Sequence, residues 1–140
     1  MKFKILILLC LSMLNNCKLF AQEEWILAGY SSSSEPYYVN STMLERDGEN
    51  ITIWIKSITE KKTISKKTKK TIYSNSENKI LYEFNCSGSK LKLKYAINYN
   101  SKGEVISNYK PEEFEQEWEY VVPGSIGEIL LNKACELYNN

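Results

Sequence analysis

The chain has 140 residues, one domain's worth, with 43% hydrophobic and 25% charged residues, 18 basic against 17 acidic, and no histidine. The lack of histidine excludes Ser-His-Asp and Cys-His catalysis and removes the commonest metal ligand. A near-balanced charge argues against a nucleic-acid binder.

The first stretch separates from the rest. Met1-Lys-Phe-Lys carries two positive charges, Ile5 to Leu14 is apolar except for Ser12, and Ala21 places a small residue before Gln22. That order predicts a secretory signal peptide over residues 1–21, with residues 22–140 as a single domain. The competing reading is a buried N-terminal helix. The apolar run is too short for a stable bilayer anchor, and no later run is long and apolar enough to span. The leader holds Lys2, Lys4 and Lys18 and no acid, so taking these three from the 18 basic residues leaves 15 against 17, a net charge of −2. Cys10 and Cys17 fall in the leader. Cys86 and Cys135 remain, and in an oxidising compartment two cysteines most simply form one disulfide. Alternatively, Cys17 is a lipidated N-terminus. Leu14 suits that reading, but Asn15 and Asn16 are larger than the usual neighbours.

In chain order, Trp25-Ile-Leu-Ala-Gly-Tyr30 is a short strand candidate, and Ser31 to Pro36 reads as a loop. Residues 37–57 read as a β-hairpin turning at Asp47-Gly48. In its second strand Ile51, Ile53 and Ile55 alternate with Thr52, Trp54 and Lys56. Glu60 to Lys70, with six lysines in its last ten residues and no period, predicts an exposed loop, with ragged strand ends as an alternative. Ser74 to Asn78 predicts a turn. Residues 79–109 then read as a meander. Ile80, Tyr82, Phe84 and Cys86 share one face of its first strand. Leu91, Leu93, Tyr95, Ile97 and Tyr99 are expected to face the core, with Lys90, Lys92 and Lys94 in solvent. Pro111 to Glu117 is acidic and reads as a loop or a turn of helix, and Trp118 to Val122 suggests one more short strand.

The last segment reads as a helix. Ser125 stands three residues before Glu128, the capping-box spacing, in which the Glu128 carboxylate would reach back to the Ser125 amide. Ile126, Ile129, Leu130, Ala134, Leu137 and Tyr138 make an apolar stripe, with Cys135 on its flank. Strands followed by one helix predict an α+β fold, an antiparallel sheet with the helix packed on one face. Cys86 would be the tether.

Little chemistry is available. Two cysteines are too few for a structural zinc site, and no P-loop or dinucleotide glycine pattern is present, so no cofactor is expected. The carboxylates of residues 112–119 could form an acid/base pair, but a solvated charged loop is the simpler account. Arg46, the only arginine, is expected to be solvated beside its turn. The candidate partner-binding residues are therefore Lys61, Lys62, Lys66, Lys67, Lys69 and Lys70, which would attract an acidic glycan, an acidic protein or anionic lipid, and Trp54, which lies opposite the isoleucines of its strand. The lysines lack the interleaved aromatic rings that a single-stranded nucleic acid would need.

Four features occur in one order: Trp25 just after the export signal, Arg46-Asp-Gly leading into Ile-Thr-Ile-Trp54, a strand ending in Cys86, and Trp118 leading to Pro-Gly-Ser125 and a helix with Cys135. In this the chain resembles the surface-adhesin protein E-like domain of exported bacterial proteins, over residues 25–138. The resemblance implies about six antiparallel strands and a C-terminal helix joined by a Cys86–Cys135 disulfide. It also implies a non-catalytic surface or periplasmic protein able to dimerise, whose best-known relative is an adhesin for host matrix and serum proteins. The alternative function is a periplasmic inhibitor or accessory protein of another enzyme.

Overall fold

Strict alternation of isoleucine with polar residues at 51–55 makes a strand with one apolar face, and the sheet grows from it. The computed structural model describes residues 24–139, so the expected leader, with Cys10 and Cys17, lies outside the described residues. The strands are β1 (Trp25–Tyr30), β2 (Pro36–Asp47), β3 (Asn50–Ile64), β4 (Thr71–Asn85), β5 (Lys90–Tyr99), β6 (Val105–Tyr109) and β7 (Glu119–Tyr120), followed by helix α1 (Ile126–Tyr138). β1 to β6 form an antiparallel meander in sequence order, and β7 pairs with β5 beyond the end of β6. This is the α+β architecture that the sequence predicts.

The core is one layer thick between sheet and helix. Val39, Ile51, Ile53, Ile55 and Phe84 rise from β2, β3 and β4, and Leu130, Leu131 and Ala134 descend from α1. Burying each of the large side chains contributes roughly 1.5–3 kcal/mol. Leu131 belongs to this core although it lies outside the predicted stripe. Ile129 is partly exposed, yet its side chain closes on β1: a Cβ added at Gly29 would stand 2.8 Å from the Ile129 Cγ2.

Both helix ends are held. Ser125 Oγ accepts from the Glu128 amide at 3.4 Å. The Glu128 carboxylate accepts from the Gly124 amide at 2.8 Å, one residue earlier than the capping-box expectation. At the C-terminus, the last carbonyls need donors. Arg46 Nη2 donates to the Leu137 carbonyl at 2.7 Å, and the Tyr138 hydroxyl donates to the Gly48 carbonyl. The arginine expected in solvent therefore caps the helix, where a cation also complements the dipole. Beside it, Cys86 and Cys135 form the disulfide, with Cα atoms 5.7 Å apart.

Two expectations are corrected. Residues 60–70 are not one loop, and 74–78 are not a turn. β3 continues through Lys61 and Lys62 to Ile64, and β4 starts at Thr71, paired without interruption from Asn50↔Asn85 to Ile64↔Thr71. Threonine, isoleucine and tyrosine among the lysines and serines suit extended backbone. The turn shrinks to residues 65–70, closed by Ser65 N–H to the Lys70 carbonyl at 3.0 Å and Lys69 N–H to the Ser65 carbonyl at 2.9 Å. The second correction concerns β5. Its register slips between Leu81↔Tyr95 and Tyr82↔Leu93, leaving Lys94 as an extra residue. Such a bulge reverses which face later residues take. Leu91 and Leu93 thus face the helix side, while Tyr95, Ile97 and Tyr99 lie on the opposite face.

Replacing both Cys86 and Cys135 by alanine opens a loop spanning a sequence separation of 49. The chain-entropy model gives a loss of about 3–4 kcal/mol, measurable by urea unfolding and reproduced in the wild-type protein by reductant. Gly29→Ala forces Ile129 aside and is expected to destabilise by about 1–3 kcal/mol. Adding Ile129→Ala should recover part of that loss in a double-mutant cycle. Tyr82 supplies a pH signature. Burial, then nearby Tyr37 and Glu119, raises its pKa above the usual phenol value. The folded state then holds a proton that the unfolded chain releases. This contribution is intact below about pH 10 and is lost as pH rises through the folded-state pKa. Unfolding free energy in alkali should fall less steeply in Tyr82→Phe.

Candidate functional site

Among the described residues, no helix or second sheet packs on the face of the sheet away from α1. Cross-strand pairing assigns its residues. Trp54, Leu81 and Tyr95 stand in one row, and Trp54 and Tyr95 pack edge to face with centroids 6.1 Å apart. All three side chains are half-buried. Trp54 therefore lies opposite the buried isoleucines, as its place in the alternation requires.

Two bulges shape the ground around this row. In β2, residues 40–43 are interposed between the pairs Val39↔Ile55 and Leu44↔Ile53. The buried Asn40 pins them: its Oδ1 accepts from the Met43 amide at 2.7 Å and from the Thr42 amide and hydroxyl, each at 3.0 Å. A notch of about 280 Å³ opens there, lined by Thr42, Met43, Trp54 and Leu81 among others. On the other side, the β5 bulge and the segment after β6 form a cleft of about 890 Å³. Leu81 and Tyr95 line it with Lys94, Lys110, Pro111, Glu112 and Gln116. Its outer wall is braced by Glu115, whose carboxylate accepts from the Glu112 amide at 3.0 Å, and by Gln116 Nε2, which donates to the Pro111 carbonyl at 3.1 Å. Leu81 is common to both recesses, which flank the Trp54–Leu81–Tyr95 row on either side.

Cations and rings fill the rest of this face. Lys56 lies 4.4 Å from the Trp25 ring centroid and 5.2 Å from that of Tyr38. Its cross-strand neighbour Lys79 lies 5.4 Å from Trp25 and 5.7 Å from Tyr99. Like charges directly opposite repel, and the ring faces offset this through their quadrupoles. Toward the other end, Lys92 covers Trp118 at 4.5 Å and Lys90 covers Tyr120 at 4.6 Å. Glu83 joins Lys92 at 2.9 Å and Lys94 at 3.6 Å. The lysines of β5 are thus partly covered by rings and carboxylate. Among the described residues, no three His, Cys, Asp or Glu side chains gather in a metal-binding group.

The structure brings Cys86 and Cys135 together and keeps the other predicted residues apart. Trp54 and Lys62 share β3 but are eight residues apart, roughly 26 Å at strand rise. Lys61 and Lys62 lie on the strand, and Lys66, Lys67, Lys69 and Lys70 lie in its turn. Sequence reasoning missed Leu81 and Tyr95 as partners of Trp54. The alternation in β5 continues unbroken through the bulge, so no residue type marks the change of face.

Among the described residues no helix is long and apolar enough to cross a membrane. No curated protein matches the chain. The chain is similar in fold to protein E of Haemophilus influenzae, seen in its crystal form II, with a TM-score of 0.55 and 13% identity over 86% of this chain and 93% of that one. The family model described as Surface-adhesin protein E matches residues 25–136. That span takes in all seven strands, the disulfide and nearly all of the helix, and the chain belongs to the surface-adhesin protein E family.

Proposed function

We propose that this chain is an exported, non-catalytic adhesin-type protein that holds a host or matrix protein against the uncovered face of its sheet, centred on Trp54. The observation that carries this reading is the Trp54–Tyr95 pair, half-buried and flanked by grooves on a face with no covering layer. Rigid tryptophan and tyrosine rings in a recess are the usual energetic centre of a protein interface. Lys94 and Lys110 at the margin would guide an acidic partner more than they would hold it. Family membership supports adhesion as the role. The signal-peptide pattern of residues 1–21 supports export to the periplasm or cell surface.

The test is binding to a panel of matrix and serum proteins by surface plasmon resonance. For a partner found there, Trp54→Ala is expected to weaken affinity roughly 30-fold or more, in line with a central aromatic anchor. Lys94→Ala should chiefly slow association and reduce its salt dependence. The disulfide and thermal unfolding check that Trp54→Ala remains folded. Unchanged affinity in a folded Trp54→Ala would overturn the proposal. If the substitution instead converts a dimer to a monomer, this face belongs to a second copy of the chain.

A further inference from the structure

The distal part of the β3–β4 hairpin has no neighbours in the sheet. β2 pairs with β3 only as far as Ser57, and β5 pairs with β4 only as far as Glu77. Among the described residues, no third strand pairs with the segment from Thr59↔Ser76 to Ile64↔Thr71, and the loops at 33–36 and 100–103 reach only its base at Glu60, Asn75 and Ser76. At strand rise this arm stands roughly 20 Å clear of the sheet before its turn.

Its composition is one-sided. Residues 61–73 include six lysines and no acid. None of the six enters an ion pair among the described residues. A solubilising arm would need nothing more. Yet Ile64, Ile72 and Tyr73 are 63%, 53% and 59% exposed, in the last three cross-strand pairs before the turn. Ile64 and Tyr73 lie on the Trp54 side of the ribbon and Ile72 on the other. Among the described residues, no element of the fold covers them.

We propose that this arm docks on an anionic phospholipid surface. The lysine ammonium groups meet the headgroup phosphates. Ile64, Ile72 and Tyr73 enter the boundary between headgroups and acyl chains, where tyrosine and short apolar groups are favoured. Charge complementarity selects an anionic partner, and the exposed apolar side chains beside the lysine turn select among such partners. A soluble polyanion would use the lysines and leave both isoleucines in water. A protein interface core is depleted in lysine. A cationic turn with exposed apolar side chains directly behind it matches a charged bilayer on both counts.

Protein from the exported fraction would be sedimented with extruded vesicles of phosphatidylcholine, alone or with about a third phosphatidylglycerol. Binding to the mixed vesicles, falling with salt and absent on phosphatidylcholine alone, is expected. Each lysine near an anionic surface is worth roughly fivefold in partitioning. Lys66→Ala, Lys67→Ala, Lys69→Ala and Lys70→Ala combined should therefore weaken binding roughly a hundredfold or more. Ile64→Ser with Ile72→Ser should weaken vesicle binding roughly tenfold and leave retention on a heparin column unchanged. Both variants lie outside the core, and the intact disulfide reports their folding. Absence of vesicle binding, or equal binding by the lysine variant, overturns the proposal. If the isoleucine variant binds vesicles like wild type, the arm is a general polyanion site and the lipid assignment fails. Trp54→Ala should leave vesicle binding unchanged, which separates this outcome from that of the adhesion reading.

Discussion

A sheet has two faces, and a single short helix must serve this one. Thirteen residues of α1 span roughly 20 Å, enough to lie across about four strands at their usual spacing. α1 indeed contacts β1 to β4. Everything else about the molecule follows from that limit. The helix can pack only if its one face is fixed, so both ends are tied: Ser125 and Glu128 at the start, and Arg46, Tyr138 and the Cys86–Cys135 bond at the finish. Gly29 allows the close approach of Ile129. Among the described residues, no helix or sheet covers the opposite face, and only the segment after β6 packs on part of it.

That opposite face is stabilised by different means. Complete burial of rings is not available there, so rings are half covered by lysine stems and ammonium groups. Lys56 and Lys79 share Trp25, and Lys92 and Lys90 cover Trp118 and Tyr120. Each such contact is worth about 0.5–1 kcal/mol at an exposed site, far less than a buried isoleucine. A face held this way stays soluble and keeps aromatic surface within reach of a partner. The same contacts explain how ten tyrosines and three tryptophans fit a chain with so small a closed core.

Much of this was legible beforehand where one local rule acted alone. Alternating isoleucines at 51–55 placed Trp54 on the face opposite them, Asp47-Gly48 marked the first hairpin, and Ser125 marked the helix start. The failures have a common physical form. At Arg46 the decisive partner is the Leu137 carbonyl, 91 residues away and invisible to local pattern. At Lys61 and Lys62, charge suggested a loop, but backbone pairing to Ser74 and Tyr73 is indifferent to a lysine side chain that reaches water. At Tyr95, an unbroken alternation hid the bulge at Lys94, and with it the groove beside Trp54. The lysines were misplaced as structure, whereas Trp54 was placed on the correct face of its strand without its neighbours.

The two uncovered features are mechanically one. β3 runs without a bulge against β4 from Asn50 to Ile64, so Trp54 and the arm tip lie on a single paired ribbon. Its Asn50 end sits beside the Asp47-Gly48 turn and the helix C-terminus, and its Ile64 end points away from them. A surface that engages the tip therefore leaves the Trp54 groove free, roughly 33 Å along the strand. An arm folded back along the sheet would have shielded that groove. A projecting one leaves both open at once. The pairing that extends the lysines as a strand is thus also what separates them from the aromatic site, and it allows one small domain to present two contacts of opposite character.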